Sequence, residues 1–244
     1  MDFLFPRNLN CICCNLPISE DNYLSLCKNC YKKLAFVEEI CVRCGRFGKG
    51  ASMCTRCATE KYDFDHVYSV LEYNDFIHHQ IYAYKYGFRN YMGRYLGRMM
   101  QDFVYENGLS YDFITAVPIS SDRLKARGFN QSELMAREID QEVFVELFLR
   151  KKSTKFLSGL SRSHRILELQ DAFLIDENVL DEMLANYYSQ DKKDQTVDQG
   201  KKIKLLIVDD ILTTGATINE LSKLAKKHIL NIEITALTLC SARK

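Results

Sequence analysis

The sequence has no long hydrophobic run. No segment of its 244 residues approaches the roughly 20 consecutive apolar residues that a membrane-spanning helix needs. Residues 1–7 contain neither the basic region nor the long apolar region of a secretory signal. We therefore expect a cytoplasmic protein without membrane insertion, and in that compartment its cysteines are expected to be reduced.

The sequence also lacks a strong net charge and a nucleotide-binding P-loop. A net charge of +1 by itself indicates neither a nucleic acid nor a membrane as partner. The pattern G-x-x-x-x-G-K-[ST] is absent, which argues against an ordinary P-loop NTPase. Basic residues instead gather at 85–98, 123–127 and 150–165, and acidic residues at 176–198. Such stretches either serve a phosphate backbone or are solvated surface, and the sequence leaves both open.

Cysteine is abundant: there are ten, and nine precede residue 58. Eight of them form C-x-x-C pairs, a spacing that lets two thiolates bind one metal ion from a tight turn. The pairs are Cys11 and Cys14, Cys27 and Cys30, Cys41 and Cys44, and Cys54 and Cys57. Two pairs complete a tetrahedral site, so the sequence predicts two structural zinc ions. Sequential pairing is the simplest arrangement, interleaved pairing stays open, and Cys13 is surplus.

A redox dithiol is the rival interpretation of these pairs, but it needs a βαβ context that the segment lacks. The composition changes after this segment, which predicts a Cys-rich module at 1–61 and a second domain at 66–244. The chain of 244 residues is long enough for one α/β domain and a small module, and its 47% of hydrophobic residues can fill a core. In the second domain we predict strands at 67–73, 113–118, 143–149 and 232–239, and helices at 75–86, 131–139 and 178–188.

The most informative stretch is KLLIVDDILTTGAT, residues 204–217. Residues 205–208 are continuously apolar and include two β-branched residues, which predicts a buried strand of a parallel sheet. From Ala216 the apolar residues recur at helical spacing. The order strand, loop, helix places Asp209 and Asp210 at the carboxyl end of the strand, where open α/β sheets bind their ligands.

The loop that follows this strand has the chemistry of an anion site. Backbone N–H groups around Gly215 and Ala216 and the start of the next helix suit a phosphate. Three hydroxyl groups add donors, those of Thr213, Thr214 and Thr217. Asp209 and Asp210 are therefore expected to accept hydrogen bonds from sugar hydroxyls or to help position a divalent cation. A ribose 5-phosphate satisfies both halves of the loop, whereas simple helix capping explains only one acidic residue and one threonine.

The motif V-D-D-I-L-T-T-G-A-T, residues 208–217, resembles the PRPP motif of type I phosphoribosyltransferases. Together with the N-terminal cysteines, it makes the chain similar to the ComF family of competence proteins over nearly its full length. The resemblance implies an α/β fold, in which a type I phosphoribosyltransferase-like parallel sheet flanked by helices follows a double zinc ribbon. It also implies a role in natural transformation, with a ComFA-like DNA translocase and single-stranded DNA as partners.

The same resemblance implies a PRPP site whose pyrophosphate is neutralised by Mg²⁺. Its residues in the motif are Asp209, Asp210, Thr213, Thr214, Gly215, Ala216 and Thr217. Lys85, from the first basic stretch, is expected to belong to the same site. The sequence R-G-F-N-Q, residues 127–131, resembles the pyrophosphate-side loop of the family. This resemblance adds Arg127, Gly128, Asn130 and Gln131 to the site. As an alternative, Asn130 only caps the helix at 131–139. Residues 150–173 resemble the hood loop that closes over the substrate. Residues 177–200 look like an insertion relative to the family.

Three functions fit this sequence. One is a DNA-uptake accessory factor that binds PRPP or a related ribose phosphate without turnover. The second is a zinc-stabilised adaptor for a motor protein, and the third is an active phosphoribosyltransferase that transfers ribose 5-phosphate from PRPP to a nitrogenous acceptor. The phosphate side of the site is complete, whereas no segment resembles an acceptor-base site, so we favour the first two together, with PRPP binding retained. Aromatic residues at 76–88 either stack on nucleic-acid bases or pack in the core, and core packing is the commoner explanation.

Overall fold

The computed structural model describes residues 10–18, 24–38, 41, 43–45, 53–151, 169, 171–191 and 202–242. Most of the predicted hood loop, at 152–168 and 170, lies outside the described residues, as does the second part of the predicted insertion, at 192–200. None of the described helices combines the length and the apolar character needed to cross a membrane.

The described part of the chain forms an α/β structure with helices on both sides of a sheet. The strands are β1 (His66–Glu72), β2 (Phe113–Ala116), β3 (Phe148–Arg150), β4 (Phe173–Ile175), β5 (Ile203–Leu212) and β6 (Ile232–Ser241). The helices are α1 (Lys28–Tyr31), α2 (Thr55–Thr59), α3 (Asp75–Tyr86), α4 (Met92–Glu106), α5 (Ser121–Arg127), α6 (Gln131–Ile139), α7 (Glu177–Asp191) and α8 (Ala216–His228). The four strands of the main sheet are parallel and ordered β1-β6-β5-β2, and β3 pairs antiparallel with β4.

Strand β5 lies in the middle of the sheet, between β6 and β2. Its apolar residues are buried on both faces, as expected for a parallel strand covered by helices. The strand is longer than predicted, because β6 continues to pair with it beyond Val208, and the last pair joins Leu212 to Ser241. Asp209 and Asp210 therefore belong to the strand itself, and the backbone on which they stand is fixed by the sheet.

The two faces of β5 pack into two hydrophobic layers. Leu205 and Ile207 contact the layer that includes α7 and α8, whereas Leu206 and Val208 contact the layer that includes α4 and α6. Helices α4 and α6 approach each other closely, because Gly97 has no side chain: a Cβ atom there would lie 2.6 Å from the Cβ atom of Glu138. These layers hold the strand ends, and hence the polar residues beyond them, in fixed positions.

The Cys-rich module is joined to the sheet at β1. Phe36 forms an antiparallel bridge with Leu71. On either side of it, Val37 N–H donates to the Val70 carbonyl at 3.1 Å and Glu72 N–H donates to the Ala35 carbonyl at 2.7 Å. The outer edge of β1 is thus covered by the module at residues 70–72. The proposed boundary between 61 and 66 stays a prediction, and cysteines of the module belong to the same hydrophobic layers as the sheet.

One predicted strand is wrong in extent. Residues 143–149 were expected to form a single buried strand, but only Phe148–Arg150 is a strand there, paired with β4. Phe144 instead makes an isolated parallel bridge with Ile114 of β2. The apolar run is therefore divided between two sheets, and its middle residue Glu146 is exposed at the point where the chain passes from one to the other.

Candidate functional site

All four strands of the main sheet contribute to one cleft at their carboxyl ends. It has a volume of about 390 Å³. It is lined by Tyr73, Lys85, Val117, Pro118, Ile119, Arg123, Arg127, Gln131, Ser132, Arg150, Asp209, Asp210, Ile211, Thr213, Thr217 and Ala242. Tyr73 follows β1, residues 117–119 follow β2, and Ala242 follows β6. This is the edge of the sheet where open α/β folds bind ligands.

Two adjacent carboxylates form one side of the cleft. The Ser132 hydroxyl donates to Asp209 Oδ1 at 3.1 Å, and the Asp210 N–H donates to the same oxygen at 2.9 Å. The Asp210 carboxylate forms a salt bridge with Lys85. Burial raises the pKa of Asp209 to about 7, and the negative charge of Asp210 acts in the same direction. Asp209 is therefore partly protonated near neutral pH, whereas Lys85 balances the charge of its neighbour.

Three arginines bring positive charge into the same cleft. Arg123 and Arg127 lie one turn apart on α5, and Arg150 ends β3. Burial lowers the pKa of Arg150 to about 10, and the positive charge of Arg123 adds to this effect. Burial also lowers the pKa of Arg123, with a contribution from Arg127. Guanidinium groups held together and partly dehydrated favour an anionic ligand that brings them negative charge.

Arg127 is held in place before any ligand arrives. Its guanidinium donates to Gln131 Oε1 at 2.8 Å and to the Tyr86 hydroxyl at 3.0 Å. Gln131 is in turn buried, and its carbonyl accepts a hydrogen bond from the Tyr84 hydroxyl at 3.0 Å. A side chain ordered in this way loses little further conformational freedom when it binds a ligand.

Two of the predicted ligand residues have structural roles here and do not line the cleft. The Asn130 side chain accepts the Ser132 N–H at 3.2 Å and donates to the Val117 carbonyl at 3.1 Å, so it caps α6 as the alternative interpretation proposed. Gly128 ends α5 with φ +80°, in the left-handed region that favours glycine. Their contact with a ligand stays a prediction, as it does for the other residues of the predicted site.

The loop after β5 ends in the first turn of α8. Gly215 takes φ +76° at the N-terminus of that helix, and the Thr214 hydroxyl accepts the Ala216 N–H at 3.3 Å. Thr213 and Thr217 line the cleft, whereas Thr214, Gly215 and Ala216 form the turn between them. The amide groups of this turn are those expected for an anion site at a helix N-terminus.

Sequence reasoning missed several residues of the cleft, namely Tyr73, Arg123, Ser132 and Arg150. Arg123 carries a usable signal, because it precedes Arg127 by four residues and so shares its face of a helix. Arg150 begins the basic stretch at 150–165, whereas Tyr73 and Ser132 reach the cleft through the tertiary fold, and no local pattern marks these two.

The eight paired cysteines form two groups, one of Cys11, Cys14, Cys27 and Cys30 and the other of Cys41, Cys44, Cys54 and Cys57. Within each group all Sγ atoms lie within 4.8 Å of one another. The Sγ–Sγ distances are 3.7 Å for Cys14–Cys27, 3.8 Å for Cys41–Cys57 and 3.7 Å for Cys44–Cys54. A tetrahedron with Zn–S bonds of about 2.3 Å has edges of roughly 3.8 Å. The groups therefore fit two structural zinc ions, with the cysteine pairs combined sequentially.

The two groups differ in their surroundings. In the second group Cys41, Cys44 and Cys57 are buried and belong to the hydrophobic layer beside α8. In the first group Cys14 is exposed. The surplus thiol of Cys13 lies outside both groups, and burial, with the charges of neighbouring thiolates, raises its pKa to about 12.

Comparison with known proteins agrees with this arrangement. The family described as "Double zinc ribbon domain" matches residues 1–58. Competence protein F of Haemophilus influenzae is 25% identical over 232 residues, which are 90% of this chain and 92% of that protein. The DNA utilization protein YhgH of Escherichia coli K12 is 25% identical over 89% of this chain and 91% of its own length.

Two further similarities cover less. Competence protein ComFC of Streptococcus pneumoniae is 30% identical over 160 residues, 62% of each chain. The crystal structure of TT1426 from Thermus thermophilus covers 60% of this chain and 83% of its own, but with 13% identity and a TM-score of 0.24 the likeness supports no inference. The chain is thus a homologue of competence protein F, YhgH and ComFC, with a double zinc ribbon at its N-terminal end.

Proposed function

We propose that this protein is an accessory factor of DNA uptake in natural transformation, and that it binds PRPP or a related ribose phosphate in the cleft. The role in transformation is supported by its homologues, whose names describe competence and DNA utilization. The ligand is inferred from the chemistry of the cleft. As partners of the protein we propose single-stranded DNA and a ComFA-like DNA translocase.

The observation that carries the ligand assignment is the presence of both charge signs in one cleft. Asp209 and Asp210 offer oxygen acceptors to sugar hydroxyls, while the arginines offer donors to phosphates. A simple phosphate would not use the carboxylates as hydrogen-bond acceptors, and a neutral sugar would not use the positive charge of the arginines. A ribose that carries phosphate groups at two positions satisfies both sets.

Mg²⁺ fits the same residues. This ion prefers oxygen ligands and is commonly held by one or two carboxylates together with the phosphates of a substrate. Asp209, Asp210 and the Thr213 hydroxyl offer such oxygens at the edge of the cleft. When bound, the ion would neutralise the pyrophosphate part of PRPP.

An active phosphoribosyltransferase is the second candidate, and one observation favours keeping it. Transfer of ribose 5-phosphate to the N–H of an acceptor releases a proton. Asp209, with a pKa raised to about 7 by burial, is suited to take up that proton at neutral pH. Release of pyrophosphate from PRPP in the presence of a nitrogenous acceptor would establish this activity.

The first experiment is a calorimetric titration of the zinc-replete protein with PRPP in the presence of Mg²⁺, repeated with single-stranded DNA present. Binding of PRPP in the micromolar range supports the proposal. If DNA abolishes it, the two ligands share one phosphate pocket, whereas independent binding places the DNA on a separate surface. No binding of PRPP under either condition would refute the ligand assignment.

The cationic side of the cleft is tested by two variants of the same helix. Arg123→Ala removes a partly buried guanidinium that lines the cleft, and we expect PRPP to bind roughly 10- to 100-fold more weakly, as for loss of a charge-assisted hydrogen bond. Lys125→Ala removes an exposed charge of the same sign that does not line the cleft. Equal losses of PRPP affinity in the two variants would show that only the overall positive charge of α5 matters, and not a contact made by Arg123.

A further inference from the structure

The segment between Asp75 and Asp102 combines aromatic residues with charge of one sign. It contains no acidic residue, and its basic residues are Lys85, Arg89, Arg94 and Arg98. Its aromatic residues are Phe76, Tyr82, Tyr84, Tyr86, Phe88, Tyr91 and Tyr95. Such a combination is expected either in a core-facing helix with a solvated side or in a surface that binds an anionic polymer with flat groups.

Helix α3 separates these aromatic residues into two sets. Tyr84 is fully buried, and its hydroxyl is used within the fold to hold Gln131. Tyr82 and Tyr86 lie on the other side, with 61% and 46% of their surface exposed, and their ring centroids are 5.0 Å apart. Core packing therefore explains Tyr84 but leaves the other two without a role in the interior.

The turn after α3 exposes a further ring at a cost in backbone energy. Phe88 is 80% exposed and has φ +53°, a left-handed conformation that is unfavourable for a bulky residue. Asn or Gly would suit that conformation better, and a ring that is mostly exposed contributes little to the stability of the fold. Tyr91, at the start of α4, is also half exposed. Together, these exposed aromatic residues at 82–91 point to a partner with flat apolar groups.

One member of the exposed set, Tyr86, adjoins the cleft. The Arg127 guanidinium, which lines the cleft, lies 5.0 Å from the centre of the Tyr86 ring and donates to its hydroxyl. A polymer whose flat groups lie on Tyr82 and Tyr86 would therefore have its nearest anionic groups beside the arginines of the cleft.

We propose that the aromatic surface formed by Tyr82, Tyr86, Phe88 and Tyr91 binds single-stranded DNA by stacking on its bases. Stacking on aromatic rings beside basic residues is the usual way in which proteins hold unpaired strands. Duplex DNA is excluded from this surface because its bases already stack on one another. The proposal deepens the proposed function and rests on it for the choice of DNA as the polymer.

The test uses the whole zinc-loaded protein and fluorescein-labelled oligo(dT) of about 20 nucleotides, at a fixed salt concentration. Tyr82→Ala and Phe88→Asn remove two rings, and Asn suits the left-handed backbone at position 88, so folding is preserved. Tyr86 is retained because it holds Arg127. We expect each substitution to weaken binding roughly 5- to 150-fold, as for loss of one base-stacking ring.

The matched control is Tyr105→Ala, which removes a ring that is 88% exposed on α4 outside the aromatic surface, and it should leave DNA affinity unchanged. Undiminished oligo(dT) binding by the Tyr82→Ala and Phe88→Asn variants would overturn the proposal and indicate a protein as the partner of this surface. Binding of duplex DNA as tight as that of oligo(dT), or tighter binding of oligo(U), would also overturn the proposal. Titration of the same variants with PRPP separates the two proposals, because loss of DNA binding with intact PRPP binding supports the surface independently of the cleft.

Discussion

A Cys41→Ser variant is expected to lose one of the two zinc ions and most of its resistance to unfolding. Cys41 is 1% exposed, accepts the Cys54 N–H at 3.2 Å through its sulfur, and lies in the hydrophobic layer beside α8. Structural zinc sites of four cysteines contribute about 10–16 kcal/mol of apparent binding energy, and a domain of this kind is stable by only about 5–15 kcal/mol. Loss of one site in the core is therefore expected to remove most of the free energy of unfolding.

Zinc content by elemental analysis and urea unfolding followed by circular dichroism measure this effect. Cys13→Ser is the matched control, because Cys13 lies in the same module but outside both cysteine groups, and it should keep two zinc ions per chain. Cys14→Ser should lose one zinc with a smaller loss of stability, since Cys14 is exposed. Two zinc ions per chain in Cys41→Ser would contradict the assignment of the ligands.

An Asp209→Asn variant is expected to bind PRPP at least about 100-fold more weakly and yet be more stable than the unsubstituted protein. Loss of two charge-assisted hydrogen bonds to sugar hydroxyls accounts for the first effect. The second arises because Asn Oδ1 can accept the same bonds from Ser132 and Asp210 without a buried charge. One pKa unit corresponds to about 1.4 kcal/mol, and contact of the carboxylate with solvent in the cleft reduces the gain to on the order of 2 kcal/mol at pH 8.

The pH dependence gives a separate readout of the same group. Burial raises the pKa of Asp209 from 3.8 to about 7, so the folded state binds more protons than the unfolded state between these values. The unsubstituted protein should therefore lose stability as pH rises from about 4 to about 7, and Asp209→Asn should lack this part of the slope. Asp181→Asn, which changes an exposed carboxylate on α7, should alter neither stability nor PRPP affinity. Unchanged PRPP affinity in Asp209→Asn would show that Asp209 does not bind the sugar hydroxyls of PRPP.

Sequence reasoning reached those parts of the structure that depend on local pattern. The helix at 75–86 was predicted with its observed bounds; in the structure Asn74 caps it, and its buried residues are at 77, 81 and 84. The eight paired cysteines followed from spacing alone, whereas spacing left open whether the pairs combine sequentially or interleaved. The strand before Asp209 was found from its apolar run, but its extension to Leu212 depends on β6, which lies beyond α8 in the chain.

What could not be predicted depends on how distant segments meet. Arg150 reaches the cleft because the apolar run before it divides between two sheets, and nothing local marks that division. Likewise, helical spacing separates Tyr84 from Tyr82 and Tyr86, but only the packed structure shows which side faces the interior. Of the two alternatives given for these aromatic residues, core packing therefore holds for Tyr84 but not for Tyr82 and Tyr86.

The bridge between Phe36 and Leu71 lies at the outer edge of the main sheet. Because it follows the first zinc site in the chain, loss of that zinc ion is expected to promote association of the protein with itself. While residues 35–37, which follow the first cysteine group, stay in position, the Val70 carbonyl and the Glu72 N–H on the outer side of β1 have partners within the chain. If the metal is withdrawn, this segment can detach and leave an open sheet edge, to which a second molecule can add a strand. Cys14→Ser, which removes the first zinc site and keeps the buried second one, is then expected to form oligomers, visible by light scattering, before the sheet itself melts.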